Sequence, residues 1–251
     1  MKLPMIADIY RSYKSAIVSE VIHPNDSMYN VGASHYYIVG ESAIDVILPG
    51  LILSSIHRVV RILDLACGYG RVARHLRAAF PQCELLFCDL VHEGAEFCAA
   101  TFGGTTIAAN ADLTKIALPR DLDIIWIGSL FTHIDRVRTA NWLAFLADHL
   151  CEGGNIVATF HGYFSEKVTD FGERYDQAKL SREFFATGYG YCCADASQDY
   201  GVSLAKPSTI LDIADSIPNT KVLAYTERGW ANNHDVLTLN RSDRLKPWGA
   251  K

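Results

Sequence analysis

The stretch Ile62-Leu63-Asp64-Leu65-Ala66-Cys67-Gly68-Tyr69-Gly70-Arg71 decides how this chain is read. Residues 59–65 form a short, mostly apolar run broken by Arg61 and Asp64, the pattern of a strand buried on both faces. Gly68 and Gly70 end that strand, residues 71–80 have helical character, and Pro81 stops the helix. Residues 84–88 then read as a second strand closing on Asp89, which completes a β-α-β unit. The two glycines remove Cβ atoms where a ligand must approach the backbone, and Asp64 stands where a carboxylate reaches a polar or cationic group. That loop implies a nucleotide-like ligand, although a tight βα turn without a ligand leaves the same GxG trace.

Working outward, the alternation continues with a helix over 94–102, strands over 105–109 and 124–127, a helix over 135–150 and a strand over 156–160. Such alternation predicts an α/β fold, a Rossmann-like, doubly wound and mostly parallel sheet. Upstream, Ile6, Ile9, Tyr13, Ile17 and Val21 recur at helical spacing until Pro24-Asn25-Asp26, and a second helix is expected over 42–53. Downstream the alternation lapses into a helical candidate over 165–185 and the run Gly188-Tyr189-Gly190-Tyr191-Cys192-Cys193. A helix over 208–216 and strands over 221–226 and 235–239 follow, the short connector predicting an antiparallel pair at a sheet edge. The chain thus reads as one domain, 1–251, with a helical N-terminal cover (1–40), a ligand-binding core (41–162), a lid insertion (163–200) and a C-terminal helix and hairpin (201–251).

Composition supports one sizeable core: 251 residues, 49% hydrophobic and 20% charged, with a formal net charge of −5. The acidic balance argues against a nucleic-acid partner, which calls for clustered positive charge. Seven cysteines with no CxxC and no zinc spacing favour neither a disulfide framework nor a metal, and point to a cytoplasmic protein. Adjacent Cys192 and Cys193 read as packing. No run of apolar residues is long enough for a membrane span, and Met1 to Tyr10 does not read as a secretory signal.

Two further features sharpen the ligand. Asp89, followed by Leu90, ends the second strand where a carboxylate in a Rossmann-like fold accepts hydrogen bonds from ribose hydroxyls, and Asn110-Ala111-Asp112 follows the third strand, where an adenine edge can be met. Each has a plainer reading as a turn or cap residue. Together with the 64–70 loop they resemble the class I S-adenosylmethionine-dependent methyltransferases, with Ala66 standing where that family more often has glycine. The resemblance implies cofactor contacts from Asp64, Ala66, Cys67, Gly68, Tyr69, Gly70, Asp89, Leu90, Asn110, Ala111 and Asp112. Gly128-Ser129-Leu130-Phe131-Thr132-His133-Ile134 resembles the family's segment beside the methionine part, which adds Gly128 and Ser129. A nicotinamide loop would carry a third glycine where Ala73 stands; alanine is allowed there, but Asp64 weighs against that reading.

The resemblance implies S-adenosylmethionine as cofactor, S-adenosylhomocysteine as product, and a small-molecule methyl acceptor. O-methylation of a sugar-related or secondary-metabolite acceptor is the expectation, by an enzyme of the EC 2.1.1 type acting as monomer or homodimer. The other readings are a nucleic-acid or N-methyltransferase and a non-catalytic S-adenosylmethionine-binding partner or sensor. The fold places His133 and His161 at the crevice as candidate bases. Tyr29, Tyr36 and Tyr37 of the cover, Phe131, and Tyr175, Tyr189 and Tyr191 of the insertion are candidate acceptor contacts, each with a packing alternative. His234-Asp235 carries little weight as a metal or catalytic pair, and no metal is expected.

Overall fold

The computed structural model describes residues 2–29, 33–54, 56, 58–194 and 200–242. Its seven-stranded sheet has the order β3 (Thr105–Thr106), β2 (Glu84–Cys88), β1 (Arg61–Leu65), β4 (Leu122–Ile127), β5 (Leu150–Phe160), β9 (His234–Arg241), β8 (Thr220–Trp230). The first five are parallel, and β9 runs antiparallel to both β5 and β8. The expected terminal hairpin is therefore present, with β8 at the edge. Because β1 lies between β2 and β4, the chain leaves it in opposite directions along the sheet, which opens a crevice beyond the C-terminal ends of β1 and β4.

Strand alternation divides the core into two layers. Ile62, Leu85, Phe87, Ile124, Trp126 and Val157 pack under α2 (Ala33–Leu53), α3 (Ala73–Ala79) and α4 (His92–Phe102). Leu63, Leu65, Leu86, Ile125, Ile127 and Ile156 pack under α5 (Arg136–Ala147) and α8 (Pro207–Ser216) on the other face. The period of two thus puts Asp64, Trp126, Thr159 and His234 on the α2/α3 side.

The N-terminal cover differs from the sequence reading. α1 (Lys2–Ser15) stops before Ile17, and α2 begins well before residue 42. Tyr36, read as part of a polar stretch, is buried inside α2, where its hydroxyl donates to Asp26 Oδ2 at 2.7 Å. α2 is long and apolar enough to cross a membrane by composition, but half of that window is buried within the fold. The lone helix expected over 165–185 is two, α6 (Tyr163–Val168) and α7 (Gln177–Thr187), and the Gly/Tyr/Cys run is β6 (Tyr189–Cys193), which pairs antiparallel with β7 (Gly201–Ala205) in a separate hairpin. β3 is shorter than the expected 105–109.

α1 is held to α3 through Tyr13, whose hydroxyl shares a 2.7 Å hydrogen bond with His75 Nδ1, while His75 Nε2 is buried without a partner. Burial lowers the His75 pKa from 6.5 to about 4. Between those values the unfolded chain binds a proton that the folded chain excludes, so this contribution is complete above pH 6.5 and is lost as pH falls toward 4. His234, also lowered to about 4 by burial and then by the Arg71 charge, acts in the same direction. The melting temperature is expected to drop by several degrees between pH 6.5 and pH 4, and His75→Gln should flatten that slope in a thermal-melt series.

Candidate active site

At the end of β1 the backbone turns through positive φ at Ala66 (61°), Gly68 (52°) and Gly70 (84°). For Ala66 the left-handed conformation costs about 1–2 kcal/mol. It is held there by its N–H, which donates to the Cys88 carbonyl at 2.8 Å. Asp89 Oδ2 accepts from Gly68 N–H and Oδ1 from Val91 N–H, both at 2.8 Å, so the carboxylate is oriented by two main-chain donors and keeps further lone pairs for a ligand. Gly94, on the first turn of α4, lies against this loop; a Cβ there would meet the Gly68 carbonyl oxygen at 2.5 Å.

Asp64 is buried, its Oδ2 has no hydrogen-bond partner, and desolvation followed by the Asp89 charge raises its pKa to about 8. A buried, unpartnered carboxyl beside an open glycine loop fits a ligand that brings a donor or a cation. On the other side of Asp89, Leu65, Ala66, Leu90, Ala109, Ala111, Leu113 and Leu130 line an apolar slot with Asn110 at its rim. Asn110 Oδ1 accepts from Asp112 N–H, and Asp112 Oδ1 accepts from the Thr114 amide and hydroxyl. Both side chains are thus engaged in the turn, leaving the slot to offer apolar walls and main chain.

At the end of β4, Ser129 also has positive φ (64°), and its N–H donates to Thr159 Oγ1 at 2.8 Å. Thr159 Oγ1 in turn lies 3.5 Å from His234 Nδ1, and the His161 and His234 rings meet edge to face at 4.8 Å. Strand β7 anchors the site from above: N–H groups of Gly201, Ser203 and Ala205 donate to the carbonyls of His133, Thr132 and His161. In the reverse direction Gly201 O accepts from His133 Nδ1 at 2.8 Å and Ser203 O from His161 Nδ1 at 3.1 Å. A carbonyl only accepts, so both Nδ1 atoms carry the proton and both Nε2 atoms present a lone pair. Burial, with Arg174 as a further cause, lowers the His133 pKa; burial and then the His234 and His133 charges hold His161 well below 6.5.

Several sequence-predicted residues have partners within the protein. The Tyr69 hydroxyl donates to Glu93 and its ring stacks on His23 at 4.6 Å, on the outer side of the loop. Phe131 is buried against Phe160, Tyr175 is buried with α7, and the Tyr189 hydroxyl is tied to Thr139 and the Ile134 carbonyl. Tyr191 accepts from Arg138 at 3.0 Å. Tyr36 is fully buried against Arg74, and Tyr29 and Tyr37 stack edge to face on it with partly exposed rings. Cys67 is buried and packs beside Cys98, each thiol directed at the Gly68 carbonyl. Gly128 lies under Trp126 and Trp230. Asp235 faces away from His234, accepting from Tyr225 and the Arg228 amide, as strand alternation requires. Among the described residues no cluster suited to a metal ion occurs. Arg71, Thr159, Trp230 and His234 join the site without having been assigned to it. Arg71 stood in the opening motif, and the alternation along the last strand places His234 on the Thr159 side.

Residues 62–154 match the family model described as a methyltransferase domain. No curated protein matches the chain in sequence. Among solved structures, it is similar to an S-adenosylmethionine-dependent methyltransferase from Clostridium acetobutylicum at 17% identity and a TM-score of 0.58, covering 86% of this chain and 100% of that one. CalS10, an amino pentose methyltransferase from Micromonospora echinaspora solved with its S-adenosylmethionine, gives 16% identity, a TM-score of 0.60 and coverages of 89% and 100%. The 1,6-didemethyltoxoflavin-N1-methyltransferase of Burkholderia thailandensis gives 12%, 0.56, 95% and 87%. At such identities the likeness is one of fold. Residues 62–154 thus carry a methyltransferase-domain match, within a fold shared with S-adenosylmethionine-dependent methyltransferases of known structure.

Proposed function

We propose that the protein transfers a methyl group from S-adenosylmethionine to a hydroxyl of a small-molecule acceptor. The observation that carries this reading is the unpartnered, buried Asp64 beside the main-chain-oriented Asp89, with an apolar slot on one side and two tautomer-fixed histidines on the other. When bound, S-adenosylmethionine supplies an electrophilic methyl carbon on a sulfonium. The chain's share of the work is to hold that group, align the acceptor and receive its proton. Asp64 and the 66–70 loop suit the amino-acid end, Asp89 the ribose, and the slot lined by Leu90 and Leu113 the base.

His133, half-buried and stacked on Tyr200 at 4.3 Å, is the proposed general base through Nε2. His161 lies deeper on the same strand anchor and is the second choice. Because burial lowers the His133 pKa, the base stays neutral to below pH 6.5, so the acid limb of the kcat/KM profile is expected below that value. A limb above pH 7 would exclude His133. Calorimetry with S-adenosylhomocysteine tests the cofactor, and labelled methyl transfer across hydroxylated acceptors tests the reaction. His133→Ala is expected to lower kcat about 10²–10⁴-fold while S-adenosylhomocysteine affinity stays within about twofold. Unchanged turnover would remove His133 and leave His161. Binding without transfer to any acceptor would favour a sensor.

A further inference from the structure

Beside the histidines a second recess is lined by His35, Arg71, Trp230, Asn233 and His234, none of which borders the apolar slot. Arg71 is its cation. The guanidinium lies 5.3 Å from the Trp230 ring centroid, and among the described residues no carboxylate forms an ion pair with it. Asp26 is the acidic group whose charge reaches Arg71, and it is already engaged, accepting from the Tyr36 hydroxyl and the Met28 amide. The Tyr36 hydroxyl also accepts from Arg74, whose charge offsets that of Asp26. Arg71 therefore remains the excess positive charge, partly desolvated. Arg174, exposed on the insertion, adds a second positive charge near His133 and Tyr200.

A guanidinium removed from water without a counter-ion is costly, and a planar oxyanion matches its paired donors. We propose that this recess binds an oxyanion of the methyl acceptor, a carboxylate or a phosphate, with Arg71 as its counter-ion, so that the enzyme acts on anionic small molecules. The inference rests on the methyltransferase reading. Arg71 here is a specificity-determining residue, and Trp230 is its cation–π neighbour. Trp230 is itself held by its indole N–H, which donates to the Val39 carbonyl of α2 at 3.0 Å, and by edge-to-face contact with Trp126.

The competing occupant is the cofactor's own carboxylate, so the experiment is run on protein saturated with S-adenosylhomocysteine. Benzoate, phenyl phosphate and the neutral benzyl alcohol are titrated by calorimetry. One of the two anions is expected to bind at least about tenfold more tightly than the alcohol, and which one does so separates carboxylate from phosphate. Arg71→Gln should reduce that preference below about threefold, and Arg71→Lys should restore part of it, with product affinity and melting temperature near the parent's. Equal binding of anions and alcohol overturns the proposal. So does an Arg71→Gln variant that loses product affinity tenfold or more, which assigns the guanidinium to the cofactor. A parent protein that fails to bind S-adenosylhomocysteine refutes the cofactor reading instead, and the same titrations on unliganded protein still decide whether the recess selects anions.

Discussion

Asp64→Asn is expected to bind S-adenosylhomocysteine about 10–100-fold more weakly than the parent while unfolding at the same temperature or a higher one. The affinity loss corresponds to the roughly 1.5–3 kcal/mol of a charge-assisted hydrogen bond. The stability half follows from the unliganded site. With its pKa raised to about 8, Asp64 is protonated at neutral pH, and asparagine has nearly the same shape. A carboxyl whose folded pKa lies above its usual 3.8 binds a proton that the unfolded chain releases, so its contribution is complete below pH 3.8 and is lost as pH rises through 8. Asparagine has no such loss, and the stability difference between variant and parent should grow in the variant's favour from pH 5 to pH 8. Binding a cationic ligand group would ionise Asp64. Calorimetry in two buffers of different ionisation enthalpy should therefore show more proton release by the parent than by the variant. Product affinities within twofold of each other would dissociate Asp64 from the cofactor.

What could be read from the sequence and what could not divide along physical lines. β1, β2 and β4 are covered on both faces, so apart from Arg61, Glu84 and Asp123 near their N-terminal ends their residues are apolar, and Asp64 is the charge near a C-terminal end, where a ligand is proposed. Asp89 was legible for the same reason, as a charge where a buried strand stops. The β6–β7 hairpin was not, because its glycines reflect close approach: Gly190 leaves no room for a Cβ against the Leu180 carbonyl of α7. A boundary between residues 200 and 201 separated β7 from the insertion, yet β7 is the element that fixes both histidine tautomers. Those bonds join positions far apart in the chain and leave no local periodicity. The tyrosines misled for a related reason. An aromatic ring with a hydroxyl suits a buried hydrogen-bonding position as well as a binding face, and Tyr36 and Tyr189 took the former.

Arg74 makes the same point with the largest consequence for the fold. It lies within residues 71–80, whose sequence has helical character, and it is 1% exposed. Its Nε donates to the Gly70 carbonyl at 3.1 Å, Nη1 to the carbonyls of Ser19 at 2.6 Å and Val21 at 3.1 Å, and Nη2 to the Tyr36 hydroxyl at 3.2 Å. One guanidinium thus ties the segment after α1, the start of α2 and the glycine loop together, with Asp26 as the nearby anion. Arg74→Ala leaves those carbonyls and the Tyr36 hydroxyl without their donor and removes the cation near Asp26, and removal of one member of a buried charged network costs about 3–5 kcal/mol. For a chain of this size that corresponds to a melting temperature lower by roughly 6–20 °C. Limited proteolysis should then cut within residues 16–29 before it cuts the sheet, because that segment has only isolated turn hydrogen bonds of its own to hold it. Arg74→Lys, which keeps the charge and loses the fork, should fall between the two. Product affinity should fall with stability in the same order, since the Gly70 carbonyl belongs to the loop proposed to hold the cofactor. An Arg74→Ala variant with parental melting temperature and unchanged proteolysis would mean that the cover is held by its apolar contacts with α2 and α3 alone.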